Sequence, residues 1–306
     1  MHRIDGPGAT VDNKFTDGDP VGGIQATLVT DEWLNDVQEN IIAVLAAAGV
    51  SPTKARAADL VDAIVGLNGH GQCKLGIIDP THIGLARYNG RNLVINGVPC
   101  KIPASAPQLS SASTSANTFY YIYAFMSSGV MALEASTTTH APHTDGVEIK
   151  SGDPTRTLVG ALYTNAANQF VRSQSYIGLI NWFNRVSLGL AQAATTSTFS
   201  SASMAEITQT DRLSFINWQD ESVKVAVSGT MNLGAAATVQ YNVYVNGVIN
   251  RLSNGGATNV TGANIPCEHP GNISVNEGVL NYTTVFASTT AGTVTAAFTN
   301  FVDMRG

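Results

Sequence analysis

Charged residues are scarce in this sequence, and positive charge is never clustered. Asp, Glu, Lys and Arg make up 12% of the 306 residues, against roughly 25% in soluble domains. The formal net charge is −6, and no run of Lys or Arg occurs. These features argue against nucleic-acid binding, which depends on neutralising phosphates with cations. A monomer so poor in charge is weakly protected from aggregation, so the composition favours an oligomer that buries part of its surface.

Paired cysteines and long apolar runs are also missing. The three cysteines, Cys73, Cys100 and Cys267, are scattered and form no Cys-x-x-Cys motif, so neither a disulfide framework nor a zinc knuckle is indicated. No signal-peptide core follows Met1, and no apolar run reaches 18 residues. We therefore expect a protein that is made in a cytoplasm, stays soluble and does not insert into a membrane.

The first 22 residues form a leader rich in glycine and proline. Such a composition excludes a regular helix or a central strand. Because the leader also has few apolar residues, we expect it to be disordered in the isolated chain and ordered only where a partner holds it.

A short helix with a heptad pattern follows the leader. Thr30 is a good N-cap, and Gly49 is the usual kind of C-terminal breaker. Five apolar residues are spaced 3-4-3-4 along the helix: Leu34, Val37, Ile41, Val44 and Ala48. This seam predicts packing against another helix, either an identical one in a trimer or a second helix of the same chain through Leu60 and Ile64. The second helix is expected to start at Ser51-Pro52.

Four short segments carry a family resemblance: Arg3-Ile-Asp5, Phe15-Thr-Asp-Gly-Asp-Pro20, Asp31-Glu-Trp-Leu-Asn-Asp-Val-Gln-Glu39 and Ala46-Ala-Ala-Gly49. In this order they resemble the N-termini of tail fibre proteins of tailed bacteriophages, closely over residues 1–67 and more loosely over 118–190. In that family the N-terminal block joins the fibre to the virion, and distal domains touch the host surface. The resemblance implies a virion tail protein whose attachment residues are Arg3, Ile4, Asp5, Phe15, Asp17 and Trp33.

Beyond residue 70 the sequence changes to short strand-like runs separated by turn residues. The strongest hairpin signal is Asn246-Gly247, between Tyr241–Val245 and Val248–Arg251. The predicted fold is mainly β, with β-sandwich or jelly-roll-like modules behind a small α-helical N-terminal head, in an elongated homotrimer. The predicted domains are a virion-attachment leader and head (1–70), a central β module (71–190), a linker (191–203) and a distal β-sandwich (204–306).

Residues with catalytic or metal-binding chemistry are present but not in recognised patterns. His140 and His143 lie among carboxylates in a loop that contains Pro142, without metal-ligand spacing. No Gly-x-Ser-x-Gly elbow occurs. We therefore expect no catalytic residues, metal or cofactor. One alternative is a glycan depolymerase that uses two of the distal carboxylates, Asp211, Asp220, Glu221, Glu268 and Glu277. The chain has no fixed repeat, and the β-helices common in such enzymes would need one.

Candidate receptor contacts are placed in the distal module, at Tyr244, Asn246, Asn254 and His269. Tyr244 is an aromatic residue on the more polar face of its strand, where it either stacks on a host sugar or packs within the protein. The other three fall in expected loops at Asn246-Gly247, Ser253–Gly262 and Cys267–Asn272. The sequence thus predicts a trimeric tail fibre that binds other tail or baseplate proteins and a host surface glycan or protein. The main alternative is a baseplate or collar adaptor for a separate receptor-binding protein.

Overall fold

The computed structural model describes residues 2–67, 69–192, 196–249, 254–258 and 264–306. Two compact units are present. The head unit contains the residues up to His70 together with Arg91–Leu93 and Pro99–Lys101. The β unit contains Gly71–Gly90, Val94–Val98 and Ile102–Gly306. Strands far outnumber helices, which confirms a mainly β protein.

The helices and the first half of the strands are α1 (Asp31–Ala47), α2 (Asp59–Leu67), β1 (Cys73–Asp79), β2 (His82–Arg87), β3 (Asn92–Ile95), β4 (Val98–Lys101), β5 (Gln108–Ser110), β6 (Phe119–Ser127), β7 (Val130–Ser136), β8 (His140–Pro142), β9 (Glu148–Lys150), β10 (Asp153–Tyr163), β11 (Tyr176–Ile177) and β12 (Leu179–Asn181). The remaining strands are β13 (Ser187–Gln192), β14 (Ser197–Phe199), β15 (Ala205–Glu206), β16 (Leu213–Phe215), β17 (Val223–Leu233), β18 (Ala237–Val245), β19 (Val248–Ile249), β20 (Asn254–Thr258), β21 (Asn264–Ile273), β22 (Asn281–Thr289) and β23 (Val294–Arg305).

Helix α1 has the ends that the sequence predicts. The Thr30 side chain accepts a hydrogen bond from the backbone N–H of Trp33 at 3.3 Å. At the other end, Gly49 takes a positive φ of 63° and its N–H bonds the carbonyl of Ala46. Helix α2, however, begins at Asp59 and not at Ser51.

The delay of α2 has a local cause. Ala55 adopts a left-handed φ of 66°, which a helix does not allow. The Asp59 carboxylate accepts a hydrogen bond from the N–H of Thr53 at 2.6 Å and pairs with Arg56 at 2.5 Å. These contacts hold residues 53–58 as a turn ahead of the helix.

The leader is ordered, which contradicts the expectation of disorder. Its backbone pairs with the segment that follows it, through bonds from Leu28 N to Pro7 O and from Thr27 N to Thr16 O. The side chain of Ile4 is 2% exposed. The leader therefore gains backbone hydrogen bonds and some apolar burial from its own chain, which a composition count does not register.

The distal part of the β unit is a β-sandwich. One sheet has the order β11-β16-β22-β18-β19, with β15 and β20 on the same sheet, and the other has the order β13-β23-β17-β21, with β14 beside β23. Their inner faces share one hydrophobic cluster, which includes Phe215, Trp218, Val225, Val243 and Val302. Three further sheets of described strands precede the sandwich, with the orders β7-β6-β10-β9-β8 (joined by β12), β1-β2-β5 and β3-β4.

Two expected boundaries differ from the structure. The predicted linker, 191–203, contributes the end of β13 and all of β14, and both strands pair with β23; residues 193–195 lie outside the described residues. The expected loop at Cys267–Asn272 lies within β21, which pairs with β17 along ten consecutive residues. In both cases pairing with a strand distant in sequence overrides a polar, turn-like composition.

Candidate functional site

A cavity of about 290 Å³ beside the start of α1 brings together four of the six predicted attachment residues. It is lined by His2, Arg3, Ile4, Asn13, Phe15 and Trp33. The remaining two, Asp5 and Asp17, are exposed and do not line it. Three of the four segments that carry the family resemblance are thus separated in sequence but line one cavity.

An aromatic pair forms one wall of this attachment cavity. The rings of Phe15 and Trp33 meet edge to face, with centroids 5.2 Å apart and planes at 80°. Trp33 is set in position by the N-cap of α1, while Phe15 comes from the leader and is 49% exposed. Within the described residues, the buried Nε1–H of Trp33 has no hydrogen-bond acceptor. The wall formed by Phe15 and Trp33 is therefore apolar and partly exposed, whereas His2, Arg3 and Asn13 make the rest of the lining polar.

Glycine makes the leader turns that build this cavity. Gly18 has a φ of 73°, and a Cβ there would lie 2.5 Å from the backbone N of Ala26. Gly8 has a φ of 79°, and its Cβ would lie 2.3 Å from the Ala26 carbonyl oxygen. Only glycine combines an easily adopted positive φ with the absence of a Cβ. The glycine of the Phe-Thr-Asp-Gly motif is therefore required by the shape of this turn.

Contacts with α1 fix the first residues of the leader. The N–H of His2 donates to Asp36 Oδ2 at 2.8 Å, and the ring Nδ1 of His2 lies 2.9 Å from the same oxygen. These hydrogen bonds lower the pKa of Asp36. Arg3 makes no ion pair with any described residue, so its cation remains available at the mouth of the cavity.

The predicted trimer seam is partly open to solvent. Leu34 and Ile41 are 53% and 41% exposed, Val37 and Val44 are half-buried, and Ala48 is buried. On α2, Leu60 and Ile64 are also exposed.

The two helices instead share a small core of Leu45, Ala48 and Ala63. The face bearing Leu34 and Ile41 is therefore not covered by α2 in the way that the intramolecular alternative expects.

The predicted receptor residues divide between the two sheets of the sandwich. Tyr244 in β18 stacks on Phe286 of β22, with centroids 3.9 Å apart and planes at 18°. Asn254 does not lie in a loop as expected for Ser253–Gly262, because Asn254–Thr258 form β20, in which Asn254 pairs with Tyr241 of the same sheet. His269 pairs with Val227 in the opposite sheet. Their backbone positions are described, but the side chains of Asn254 and His269 lie outside the described residues.

Asn246 stabilises a tight turn beside a second cavity. Asn246 and Gly247 take positive φ values of 53° and 74°, as a type I′ hairpin turn requires. The Asn246 side chain donates to Asn281 Oδ1 at 2.8 Å and accepts from the N–H of Tyr282 at 2.9 Å. The adjacent cavity, of about 400 Å³, is lined by Val245, Asn246, Val248, Asn272, Ile273, Ser274, Val275 and Asn276.

The outer face of β22 carries two aromatic residues, Tyr282 and Phe286, that were not among the predicted receptor contacts. Phe286, which was not singled out, lies under Tyr244. The Arg212 guanidinium lies 4.4 Å from the centre of the Tyr282 ring and is held by Glu206 at 2.7 Å. The sequence signal for this face is strand alternation, because residues 282, 284 and 286 of one strand point to the same side of the sheet.

The two histidines weighed as metal ligands do not converge. His143 Nδ1 lies 2.7 Å from Asp145 Oδ1 in its own loop, whereas His140 contacts Glu148 and Glu277. Within the described part of the chain, no group of three or more His, Cys, Asp or Glu residues is placed to hold a metal ion. Of the three cysteines, Cys73 is a buried thiol whose pKa is raised to about 12 by burial.

The carboxylates give the depolymerase alternative no specific support. A glycosidase needs one carboxyl group whose pKa is raised so that it acts as an acid. Every described carboxyl group with a shifted pKa is shifted downward: Asp36, Asp59, Asp79, Glu134, Asp145, Asp153, Glu206 and Glu277. Of the distal candidates, Asp220 and Glu221 pair with Arg185. Release of reducing sugar from host polysaccharide is the assay for this alternative.

Comparisons with known proteins give little guidance. No family model matches the chain, and no curated protein matches it. The insecticidal delta-endotoxin Cry8Ea1 from Bacillus thuringiensis is 4% identical, with a TM-score of 0.28 over 76% of this chain and 51% of the toxin. The VP2 subviral particle of infectious bursal disease virus is 9% identical, with a TM-score of 0.27 over 76% of this chain and 72% of VP2. This chain spans about half the length of the toxin chain, and similarities this weak support no conclusion about function.

Neither described helix has both the length and the apolar character needed to cross a lipid bilayer.

Proposed function

We infer that this chain is a structural protein of a bacteriophage virion, a tail fibre that joins the tail through its head unit. The observation that carries the proposal is the attachment cavity, because residues from three separate motifs of the resemblance line it together. A partly exposed aromatic pair and an exposed arginine are suited to binding a segment of another protein.

In this proposal three copies of the chain form a trimer, and the exposed face of α1 in each chain packs against the same face of α1 in the other two. Leu34 and Ile41, which are exposed in the single chain, would be buried from water at the trimer axis. This burial of apolar surface would stabilise the trimer. The distal sandwich then binds the host surface, and trivalency multiplies weak contacts with a glycan or protein.

Alanine substitution in the attachment cavity tests the head. We expect Phe15→Ala and Trp33→Ala chains to fold and oligomerise normally but to be lost from purified tails when supplied in place of the wild type. Val11→Ala is the matched control, because Val11 lies in the same leader and is 98% exposed. Normal incorporation of both cavity variants would show that attachment uses another surface.

An adaptor in the baseplate or collar is the second candidate, and one observation favours it. β21 pairs only with β17 among the described strands, so it is an edge strand able to accept a strand from another protein. Competition assays separate the two functions. A tail fibre should block phage adsorption when the full-length chain is added to host cells, whereas an adaptor should leave adsorption unchanged while remaining necessary for tail assembly.

A further inference from the structure

His140 joins two parts of the β unit that are distant in sequence. It is the first residue of β8, and its Nδ1 lies 2.6 Å from Oε2 of Glu148 on the neighbouring strand β9. Its Nε2 lies 3.0 Å from Oε1 of Glu277, in the loop 274–280 that connects β21 to β22. All three side chains are largely buried, with exposed fractions of 19%, 21% and 12% for His140, Glu148 and Glu277.

The two carboxylates determine which form of the ring fits. An ionised carboxylate only accepts hydrogen bonds, and a neutral imidazole has a single N–H. Both contacts are therefore satisfied only when His140 is an imidazolium, with each ring nitrogen donating. We propose that His140 is a pH-sensitive clasp: as a cation it holds the loop 274–280 against the β8–β9 hairpin, and its deprotonation releases the loop.

The loop held by the clasp shapes two cavities. Ser274, Val275 and Asn276 line the cavity beside Asn246. On the other side, Gly278, Val279 and Leu280 line a cavity of about 590 Å³, whose remaining walls are Asn117, Thr118, Phe119, Tyr121, Thr137, Thr139 and Tyr163. Glu277 lies between these two groups, so release at this residue alters both cavities together.

A second contact makes the loop depend on Glu277. Its Oε2 accepts a hydrogen bond from the backbone N–H of Gln219 at 2.8 Å, and its own N–H donates to the Gln219 side chain at 3.4 Å. Glu277 therefore connects the loop to the turn after Trp218 as well as to His140. A neutral ring keeps one N–H, and the shorter contact, from Nδ1 to Glu148 at 2.6 Å, favours its retention there. Glu277 then faces the lone pair of Nε2 instead of a donor and loses this anchor, while its hydrogen bonds from Gln219 and Tyr121 remain.

The groups around His140 are neutral or already paired, so the charge that changes with pH in this cluster is that of His140. Its ring is packed against Tyr121, Trp182 and Trp218, with ring centroids 5.5, 5.2 and 6.1 Å away. Tyr121 remains neutral at physiological pH, because burial raises its pKa to about 12. The other nearby charges are paired among themselves: Arg185 with Asp220 and Glu221, and Glu134 with Lys150 and Arg156.

The direction of the pH effect follows from the two titrations. Burial alone lowers the pKa of His140, but hydrogen bonds and charges from Glu277 and Glu148 outweigh burial and raise it. A raised histidine pKa gives stability that is complete below about pH 6.5, the value of a free histidine, and is lost as the pH rises through the raised pKa. The pKa of Glu277 is lowered, because the hydrogen bonds it accepts outweigh its burial. Its contribution is present above about pH 4.3 and is lost as the pH falls through the lowered value.

Hydrogen exchange on the full-length chain tests the clasp. We expect the amides of Gln219 and of 274–280 to lose protection as the pH rises through the raised pKa, by up to about tenfold per pH unit after correction for intrinsic exchange. His140→Gln removes the charge, so its loop should be poorly protected at every pH. His143→Gln is the matched control, because the one ion pair of His143 within the described ranges is with Asp145 in its own loop, and it should follow the wild type.

A titration of the wild type keeps the proposal testable even if the His140 variant fails to fold. The ring carbons of His140, followed by NMR, should titrate above the ordinary histidine value. A ring that titrates below pH 6.5 would overturn the clasp. So would a loop whose protection does not change with pH in the wild type, or an H143Q chain that loses the pH dependence. The proposal does not rest on the tail fibre assignment.

Discussion

Asn181 connects two sheets of the β unit with one side chain. Its Oδ1 accepts a hydrogen bond from Leu75 N at 2.6 Å, and its Nδ2 donates to Leu75 O at 3.3 Å. Its backbone carbonyl accepts the indole N–H of Trp218 at 2.8 Å. The side chain thus takes the place of a neighbouring strand for Leu75, in a position that is 5% exposed.

Replacing Asn181 with alanine should destabilise the β unit by about 2–4 kcal/mol, because both polar backbone atoms of Leu75 are then buried without partners. Urea denaturation followed by tryptophan fluorescence measures the change. Asn276→Ala is the control: Asn276 is an exposed asparagine, and its loss should change stability by less than about 0.5 kcal/mol. A loss below about 1 kcal/mol in N181A would mean that water replaces the amide.

Single residues were predictable from the sequence where their role is local. Gly18 and the N-cap Thr30 are recognisable because their neighbours in sequence determine their backbone geometry. Asn181 was not, since its partner lies 106 residues away, and the same holds for Glu277, whose partner His140 is 137 residues distant. A polar residue in a strand has no sequence signature that identifies such a partner.

At the scale of elements, the exposed face of α1 leads to a test of assembly. Leu34→Asp together with Ile41→Asp places two charges where the trimer would exclude water, so the oligomer should dissociate. Light scattering should then report the monomer mass. Asn35→Asp with Ala43→Asp is the control, because both are exposed positions on the same helix and the pair adds the same negative charge. An unchanged mass in the Leu34 and Ile41 variant would place the oligomer contact elsewhere.

The two ends of α1 and the tight hairpins were the elements that the sequence predicted best. The Asn246-Gly247 turn joins β18 to β19 as expected, because its left-handed residues restrict the chain within four positions. Ser128-Gly129 joins β6 to β7 in the same way. Strands β13, β14 and β21 were missed or misplaced. Their hydrogen-bond partners come from far along the chain, and their polar composition is that of a loop.

At the scale of the whole molecule, the sequence predicts a linker between two β modules. In the structure 71–192 and 204–306 belong to one compact unit, except for Arg91–Leu93 and Pro99–Lys101, which belong to the head unit. We therefore expect a fragment of residues 204–306 to aggregate or to lack fixed tertiary structure. Without β13 and β14, one side of β23 has no hydrogen-bonded neighbour. The buried residues Leu188 and Leu190 are also missing from its core. A fragment of residues 71–306 keeps all of these contacts and should fold. Near-UV circular dichroism and size-exclusion chromatography compare the two, and a cooperative, monodisperse 204–306 fragment would contradict the prediction.

The mainly β class and the helical head could be predicted because composition and periodicity act over the whole chain. The path of the chain between sheets could not. Val225 and Val302 have the same alternating pattern as strands that pair locally, yet they face each other across β17 and β23. Alternation determines which face of a strand is buried, and it leaves open which strand lies alongside.

The position of β23 has a consequence for synthesis. This strand lies in the middle of its sheet, with Lys224 opposite Asp303 on one side and Ser187 opposite Arg305 on the other. On the ribosome, β13, β14 and β17 therefore emerge with their central neighbour still untranslated, and this sheet cannot close until residues 294–305 have left the exit tunnel. The head unit, whose helices meet through residues close in sequence, has no such delay. Folding should thus proceed in two stages, fast at the head and slow in the sandwich, with unpaired strand edges exposed to solvent during the interval.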